Sequence, residues 1–238
     1  MIRAEFEKQL QEALALELHY ENRFHLSHRS EGNLGLPAPA HEISGGPGAH
    51  ADFSLAKATP ASVLVLFAYP QVPAQPGKPE VLPSLLYIRR TEEVETHKGQ
   101  IAFPGGHTEP EELDHPELTA LRETEEEVGI SRDHVKLYGR LPALFTPTGY
   151  LIQPFVGVLN RPLEEVSLTL DPQETAEAIW VPLDVLLCPG VYQAQTFQVG
   201  SGNYPIDVYQ YQHHRIWGAT GSMTKNLLDR LSKSSKLS

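Results

Sequence analysis

Phe6, Leu10, Leu14 and Leu18 recur at every fourth position through a stretch rich in Glu and Gln. That is the spacing of one helix face, and it predicts an amphipathic helix over roughly 3 to 20 that packs on the domain or on a second subunit. From Ser30 to Pro60 the chain is rich in Gly, Pro, Ala and His with no sustained period, which predicts an irregular arm. Ser62 to Tyr69 (SVLVLFAY) and Ser84 to Arg90 (SLLYIRR) are short apolar, β-branched or aromatic runs, separated by a segment carrying five prolines. They predict two strands joined by a long loop.

Further strand-like runs follow at Val135 to Leu141, Gln153 to Leu159, Ala178 to Val181 and Tyr204 to Tyr211. Asp184 to Leu187 predicts a short helix, and Thr220 to Leu231 an amphipathic closing helix before a polar tail. Strands and helices mixed in this order predict an α/β (α+β) sandwich, with helices on the faces of one sheet. The expected organisation is a helix and arm over 1–60, then one domain over 61–238.

Composition narrows the function classes. The chain has 238 residues, 40% of them hydrophobic, enough for a real core. It has no run near the eighteen or so apolar residues of a membrane span, so no membrane partner is expected. Glu5, Glu7, Glu12 and Glu17 near the start are unlike the basic-then-apolar order of a secretion signal, so a cytoplasmic location is expected. Cys188 stands alone, which excludes an internal disulfide and a thiolate metal cluster and predicts a structural thiol. Net charge is −11, without the clustered Lys and Arg that track a nucleic-acid backbone. A small polyphosphate stays compatible, since a bound divalent cation reverses the local field.

Candidate chemistry is concentrated between 104 and 130. Pro104-Gly105-Gly106 follows the strand-like run Gln100 to Phe103, and paired glycines there predict a tight turn that brings backbone close to a ligand. Asp114-His115-Pro116-Glu117 then leads into Leu118 to Gly129 (LTALRETEEEVG). Pro116 suits the first helical turn, Asp114 or His115 the cap, and Gly129 the residue past the end. Leu118, Leu121 and Val128 share one face, expected to meet the core. Glu123, Glu125, Glu126 and Glu127 crowd the far end, with Arg122 the only base among them. Like charges at these spacings destabilise a helix, and the dipole disfavours acids at its C-terminal end. A solvated acidic face usually alternates sign, and this one does not. Mg²⁺, which prefers carboxylate oxygens and completes its shell with water and substrate phosphates, accounts for the pattern.

Gly106, Arg122, Glu123, Glu126, Glu127, Gly129 and Ile130 resemble the box of the Nudix hydrolases: Gly, five residues, Glu, seven residues, then Arg-Glu-aliphatic-any-Glu-Glu-any-Gly-aliphatic. Two departures are visible. By spacing from Arg122, Asp114 takes the first acid's place, yet seven residues separate it from Gly106, so Glu111 and Glu112 are alternatives; and Thr124 stands where an aliphatic residue is usual. Leu85-Leu86, Arg89-Arg90, His97, Gly99-Gln100 and Ala102-Phe103-Pro104-Gly105-Gly106 further resemble the signature of the coenzyme A pyrophosphatase subgroup. Thr146-Pro147-Thr148-Gly149-Tyr150 with Pro154, and Ile216-Trp217-Gly218-Ala219-Thr220, are similar to the same subgroup.

The resemblance implies a Nudix fold, an α/β/α sandwich with a mixed β-sheet and the box as a loop-helix-loop. It implies Mg²⁺ or Mn²⁺ dependence, a small-molecule substrate of the coenzyme A type cleaved at its diphosphate, and a homodimer; the alternatives are a Nudix hydrolase of a dinucleotide, nucleoside triphosphate or nucleotide sugar, and a non-catalytic nucleotide-binding module. Glu126 and Glu127 are the implied principal metal ligands, with the Gly106 carbonyl as a candidate third. Glu123 is the candidate general base, one helical turn from a metal-bound water, or a further ligand. Arg122 either braces the loop carboxylate or touches phosphate. Arg89, Arg90 and Lys98 are either phosphate contacts or solvated charges; His97 is a phosphate donor or a loop brace; Gln100 and Gly105 complete the implied substrate-binding set. Glu174 and Glu177 are surface acids or an added ligand or base. Trp217, Tyr209 and Tyr211 are core or an adenine platform.

Overall fold

The computed structural model describes residues 3–15, 34–35, 52–53, 58–71, 82–94, 97–146, 148–199 and 202–234. Its centre is strand β3 (Thr59–Ala68), flanked by β4 (Ser84–Arg90) and by β9 (Tyr150–Leu159). β3 and β9 run parallel, whereas β7 (Val135–Arg140) on β9 and β10 (Thr175–Pro182) on β4 are antiparallel, so the sheet is mixed, in the order β10-β4-β3-β9-β7. Short strands β5 (Ile101–Ala102), β6 (Gly105–His107) and β8 (Leu144–Phe145) extend β4, β3 and β9 respectively.

The period of two in β3 divides the core into two layers. Leu64, Leu66 and Ala68 face one way, with Leu86 and Ile88 of β4, and are covered by Ala120, Leu121 and Val128 of helix α2 (Pro116–Val128). Val65 and Phe67 face the other way, with Leu85 and Tyr87. That second layer is closed by α1 (Arg3–Ala15) through Phe6 and Leu10 and by α4 (Gly218–Ser234) through Leu227 and Leu231. Phe6 meets Phe67 edge-on at 5.2 Å between ring centroids, and Tyr87 Oη and Thr224 Oγ1 share a buried hydrogen bond at 3.0 Å. A second antiparallel sheet, β11 (Tyr192–Val199), β12 (Gly202–Tyr211) and β13 (His214–Ile216), contributes Tyr209 and Ile216 to this same layer. The result is the expected sandwich of helices on both faces of a mixed sheet.

Several expectations are corrected in detail. The arm is not wholly irregular, since β1 (Leu34–Gly35) pairs with β2 (Asp52–Phe53); the last predicted turn of the first helix, 16–20, lies outside the described residues. Gly105 and Gly106 do not form a turn but pair with Val63 and Ser62 in β6. Leu118 is 39% exposed rather than core, because α2 rests on the sheet through Thr119, Ala120, Leu121, Thr124, Glu127 and Val128. His115 occupies the cap of α2 without a side-chain capping bond. Cys188 is exposed at the end of α3 (Leu183–Leu187) and is no core thiol. No helix among the described residues is long and apolar enough to cross a membrane.

Candidate active site

Helix α2 presents its acids where β6 crosses beneath it. Its end is closed by Gly129, left-handed at φ 74°, whose N–H donates to the Glu125 carbonyl. The carbonyls of Glu127 and Val128 accept from Asp171 and Thr169 N–H at 3.1 and 3.0 Å. The dipole penalty expected for acids at this end is thus relieved, because a following loop supplies donors to the terminal carbonyls. Thr124, at the box's aliphatic position, is fully buried and returns its hydroxyl to the Ala120 carbonyl at 2.7 Å, so its polarity is satisfied inside the helix.

Arg122 is the hub. Its Nε and Nη2 donate to the two oxygens of Glu112 at 3.0 and 3.1 Å, a bidentate pair. Nη1 donates to Glu123 at 2.8 Å and to Glu126 at 2.9 Å, and Nη2 also reaches the His107 carbonyl at 3.2 Å. Of the three candidates for the first acid, Glu112 is the partner of Arg122. It follows Gly106 after five residues, so the extra two residues lie between Glu112 and Arg122. Thr119 Oγ1 donates to the same carboxylate at 2.7 Å. The Arg122 bonds, followed by that of Thr119, outweigh desolvation and hold the Glu112 carboxyl at about 2.

Glu127 is 1% exposed. Its Oε2 accepts the Gly105 N–H at 2.9 Å and its Oε1 meets Arg90 Nη1 at 3.5 Å. Burial pushes its carboxyl up to about 8; Gly105 and Arg90 oppose this, while Glu123 and Glu174 add to it. Burial also raises Glu123, against Arg122 and with Glu126 and Glu174. Glu126, by contrast, has a side chain 57% exposed. Gly106 leaves room for Glu123, since a Cβ there would lie 2.5 Å from the carboxylate carbon and displace it. Gly105 has φ 153° and no room for a side chain, with Val63 Cα at 2.6 Å from where a Cβ would stand.

The predicted basic group is split by the pleat. Arg90 lies on the α2 side with Glu127, while Arg89, one residue earlier, lies on the opposite side and donates to Glu177 at 3.2 Å. Lys98 is exposed. His97 Nδ1 and Gln100 Oε1 are 3.2 Å apart and brace one another across a loop whose Gln100 carbonyl accepts from Arg90 N–H. His97 itself is left-handed, at φ 57°. Glu174, a surface acid or an added ligand or base on the sequence, is exposed and raises both Glu123 and Glu127 electrostatically. Its carbonyl is held by Thr91 N–H at 2.9 Å. Glu177 faces Arg89 and His214 instead. Tyr209 is 1% exposed and belongs to the core, and Tyr211 packs against the core's edge. Trp217 is half-buried, with Arg215 over its ring at 5.0 Å. Tyr150, which the sequence offered only as part of the run 146–150, meets the ring of His107 at 5.3 Å, beside Gly106. The antiparallel pairing of β6 with the start of β3, itself parallel to β9, brings them together, and no local spacing announces it.

The donors fit a hard divalent cation. Three carboxylates, two of them with ionisation suppressed by burial and mutual repulsion, lack sufficient positive charge, and Mg²⁺ or Mn²⁺ prefers such oxygen ligands.

A loop, a helix and a loop thus hold four acids around one arginine, the donor set of a metal-assisted hydrolytic site. A NUDIX domain model matches residues 74–197. The chain is 37% identical over 149 residues to an uncharacterized Nudix hydrolase NudL of Photorhabdus laumondii subsp. laumondii, covering 63% of this chain and 78% of that protein. A NudL of Yersinia enterocolitica is 32% identical over 149 residues, covering 63% and 74%. Similar solved structures include an Ap4A hydrolase binary complex from C. elegans, with TM-score 0.39 and 21% identity over 52% of this chain and 80% of that one. Another is the Nudix hydrolase RenU from M. smegmatis, with TM-score 0.42 and 20% identity over 54% and 73%. The chain belongs to the Nudix hydrolase family, whose members act on diphosphate bonds with the help of divalent metal ions.

Proposed function

We propose that this hydrolase cleaves the diphosphate of coenzyme A or its derivatives, adding water to give 3′-phospho-AMP and 4′-phosphopantetheine or its acyl form. The observation that carries this reading is the attachment of the signature loop to the acids. Gln100 accepts from Arg90 N–H, and Arg90 and Gly105 both bond Glu127. The segment that resembles the coenzyme A subgroup is therefore continuous with the carboxylate centre.

Glu126 and Glu127, with Glu123 and the Gly106 backbone adjoining, would hold Mg²⁺ or Mn²⁺. When bound, that ion neutralises the diphosphate and lowers the pKa of water. Gly105 N–H and Arg90 fix the Glu127 carboxylate, leaving no rotamer search at the moment of binding. Arg122 sets Glu123 and Glu126 from a single nitrogen, while Glu112 keeps the guanidinium in place. Glu123, with its proton affinity raised by burial, is suited to take a proton from the attacking water. Arg90, Lys98, His97 and Gln100 are the proposed contacts for substrate phosphates. Cytoplasmic residence and a homodimer belong to the same proposal, the latter tested by light scattering in solution.

A panel of coenzyme A, acyl derivatives, dinucleotides, nucleoside triphosphates and nucleotide sugars, assayed with Mg²⁺, tests the substrate. Coenzyme A compounds should have the highest kcat/KM, and preference for another diphosphate would overturn the assignment. Glu126→Gln should lower kcat by at least about 100-fold. Folding should stay within about 0.5 kcal/mol of wild type, since the side chain is largely exposed; undiminished turnover would remove Glu126 from the site.

A further inference from the structure

On the face of the sheet turned away from Glu127, two histidines and a carboxylate converge. His213 and His214 lie at the β12–β13 hairpin, where Tyr211 pairs with His214 and Gln212 is left-handed at φ 53°. That turn brings the two imidazoles to 3.9 Å between centroids, tilted by 41°, although consecutive residues on a regular strand would point apart. Glu177 comes from β10, opposite Arg89 in the register. One ligand atom from each of Glu177, His213 and His214 can be chosen so that all lie within 4.8 Å of one another. His214 Nε2 and Glu177 Oε1 are already 3.5 Å apart.

We infer that Glu177, His213 and His214 form a second, transition-metal site, of the two-imidazole, one-carboxylate type that takes Zn²⁺. Ligand atoms around a tetrahedral zinc stand about 3.3 Å apart, from metal–ligand distances of about 2.0–2.1 Å. The His214–Glu177 edge has nearly that length, and the exposed His213 brings a ring nitrogen within 4.8 Å of both. The ligands are sorted as such a site requires. Arg89 Nε holds Glu177 Oε2 at 3.2 Å, fixing the carboxylate from outside and leaving Oε1 to the metal. His214 is 5% exposed, so its ring is set by packing, while the exposed His213 opens the centre to entry from solvent. A fourth position is left for water. Imidazole nitrogen selects Zn²⁺ over Mg²⁺, whereas the all-oxygen centre on α2 suits Mg²⁺ or Mn²⁺. The two centres therefore differ in chemistry as well as in the face of the sheet they occupy. Bound zinc would join the hairpin of the small sheet to the edge of the large one, beside the strand that carries Arg90.

The test uses the full chain, stripped of metal and titrated with Zn²⁺ against a chromophoric chelator, with Mg²⁺ titrated in parallel. Wild type should bind one more tight Zn²⁺ equivalent than His213→Ala or Glu177→Gln, with affinity lost by more than about tenfold in each variant. Zn²⁺ should move the imidazole proton resonances of His213 and His214, and Mg²⁺ should not. His213 is exposed, so His213→Ala should keep its circular dichroism and its Mg²⁺-dependent hydrolysis, which separates this result from failure of the α2 site. Equal zinc stoichiometry and affinity in wild type and His213→Ala would overturn the inference. So would zinc binding abolished by Glu126→Gln alone, which would assign the metal to α2.

Discussion

Replacing Glu127 by Gln removes a charge that the metal-free fold holds at a cost. The native carboxyl is pushed up to about 8 from 4.5, so the folded protein binds this proton more tightly than the unfolded chain does. The associated stability is complete below about pH 4.5 and is lost as pH rises through about 8. At about 1.36 kcal/mol per pKa unit the ceiling is about 5 kcal/mol. Relaxation and sharing with Glu123 and Glu174 reduce the expected figure to about 2–3 kcal/mol. Gln keeps the volume and the acceptor for Gly105 N–H, so the variant isolates the ionisation. The assay is urea unfolding in chelator at about pH 5 and about pH 8.5. Relative to Glu127→Gln, wild type should lose about 1 M in midpoint between these conditions. Added Mg²⁺ should recover stability at the higher pH in wild type and not in the variant, which should also lose hydrolysis. Parallel pH profiles of the two proteins would refute the reasoning.

Glu112→Gln should cost about 1–2 kcal/mol at neutral pH, because the amide can no longer accept both Arg122 bonds. It should also flatten the acid limb of unfolding, since a carboxyl lowered to about 2 contributes stability present above about 4.5 and lost as pH falls toward about 2; urea curves at low pH check both. Gly106→Ala places a methyl 2.5 Å from the Glu123 carboxylate carbon. The carboxylate can swing away, so kcat should fall by more than about tenfold while thermal unfolding changes little. Phe6→Ala should destabilise by about 3–5 kcal/mol, because Phe6 is fully buried against Phe67; a chemical denaturation midpoint near wild type would show that α1 is an appendage.

Much of this protein is determined by local sequence. The continuous apolar runs of β3 and β4 encode a sheet buried on both faces, and Pro116 and Gly129 delimit α2, because these signals act within a few residues. The acids from Glu123 to Glu127 announce a centre in the same way. Tertiary structure alone decided which acid braces Arg122, because an insertion of two residues makes counting from the helix choose Asp114 while the fold brings in Glu112. It alone separated Arg89 from Arg90, since the pleat sends neighbours to opposite faces and the charge they meet there, Glu177 or Glu127, comes from far along the chain. It alone assembled His213, His214 and Glu177, and paired Tyr150 with His107. Spacing reports only what one element can bring together, whereas these sites are made where elements distant in sequence come into register.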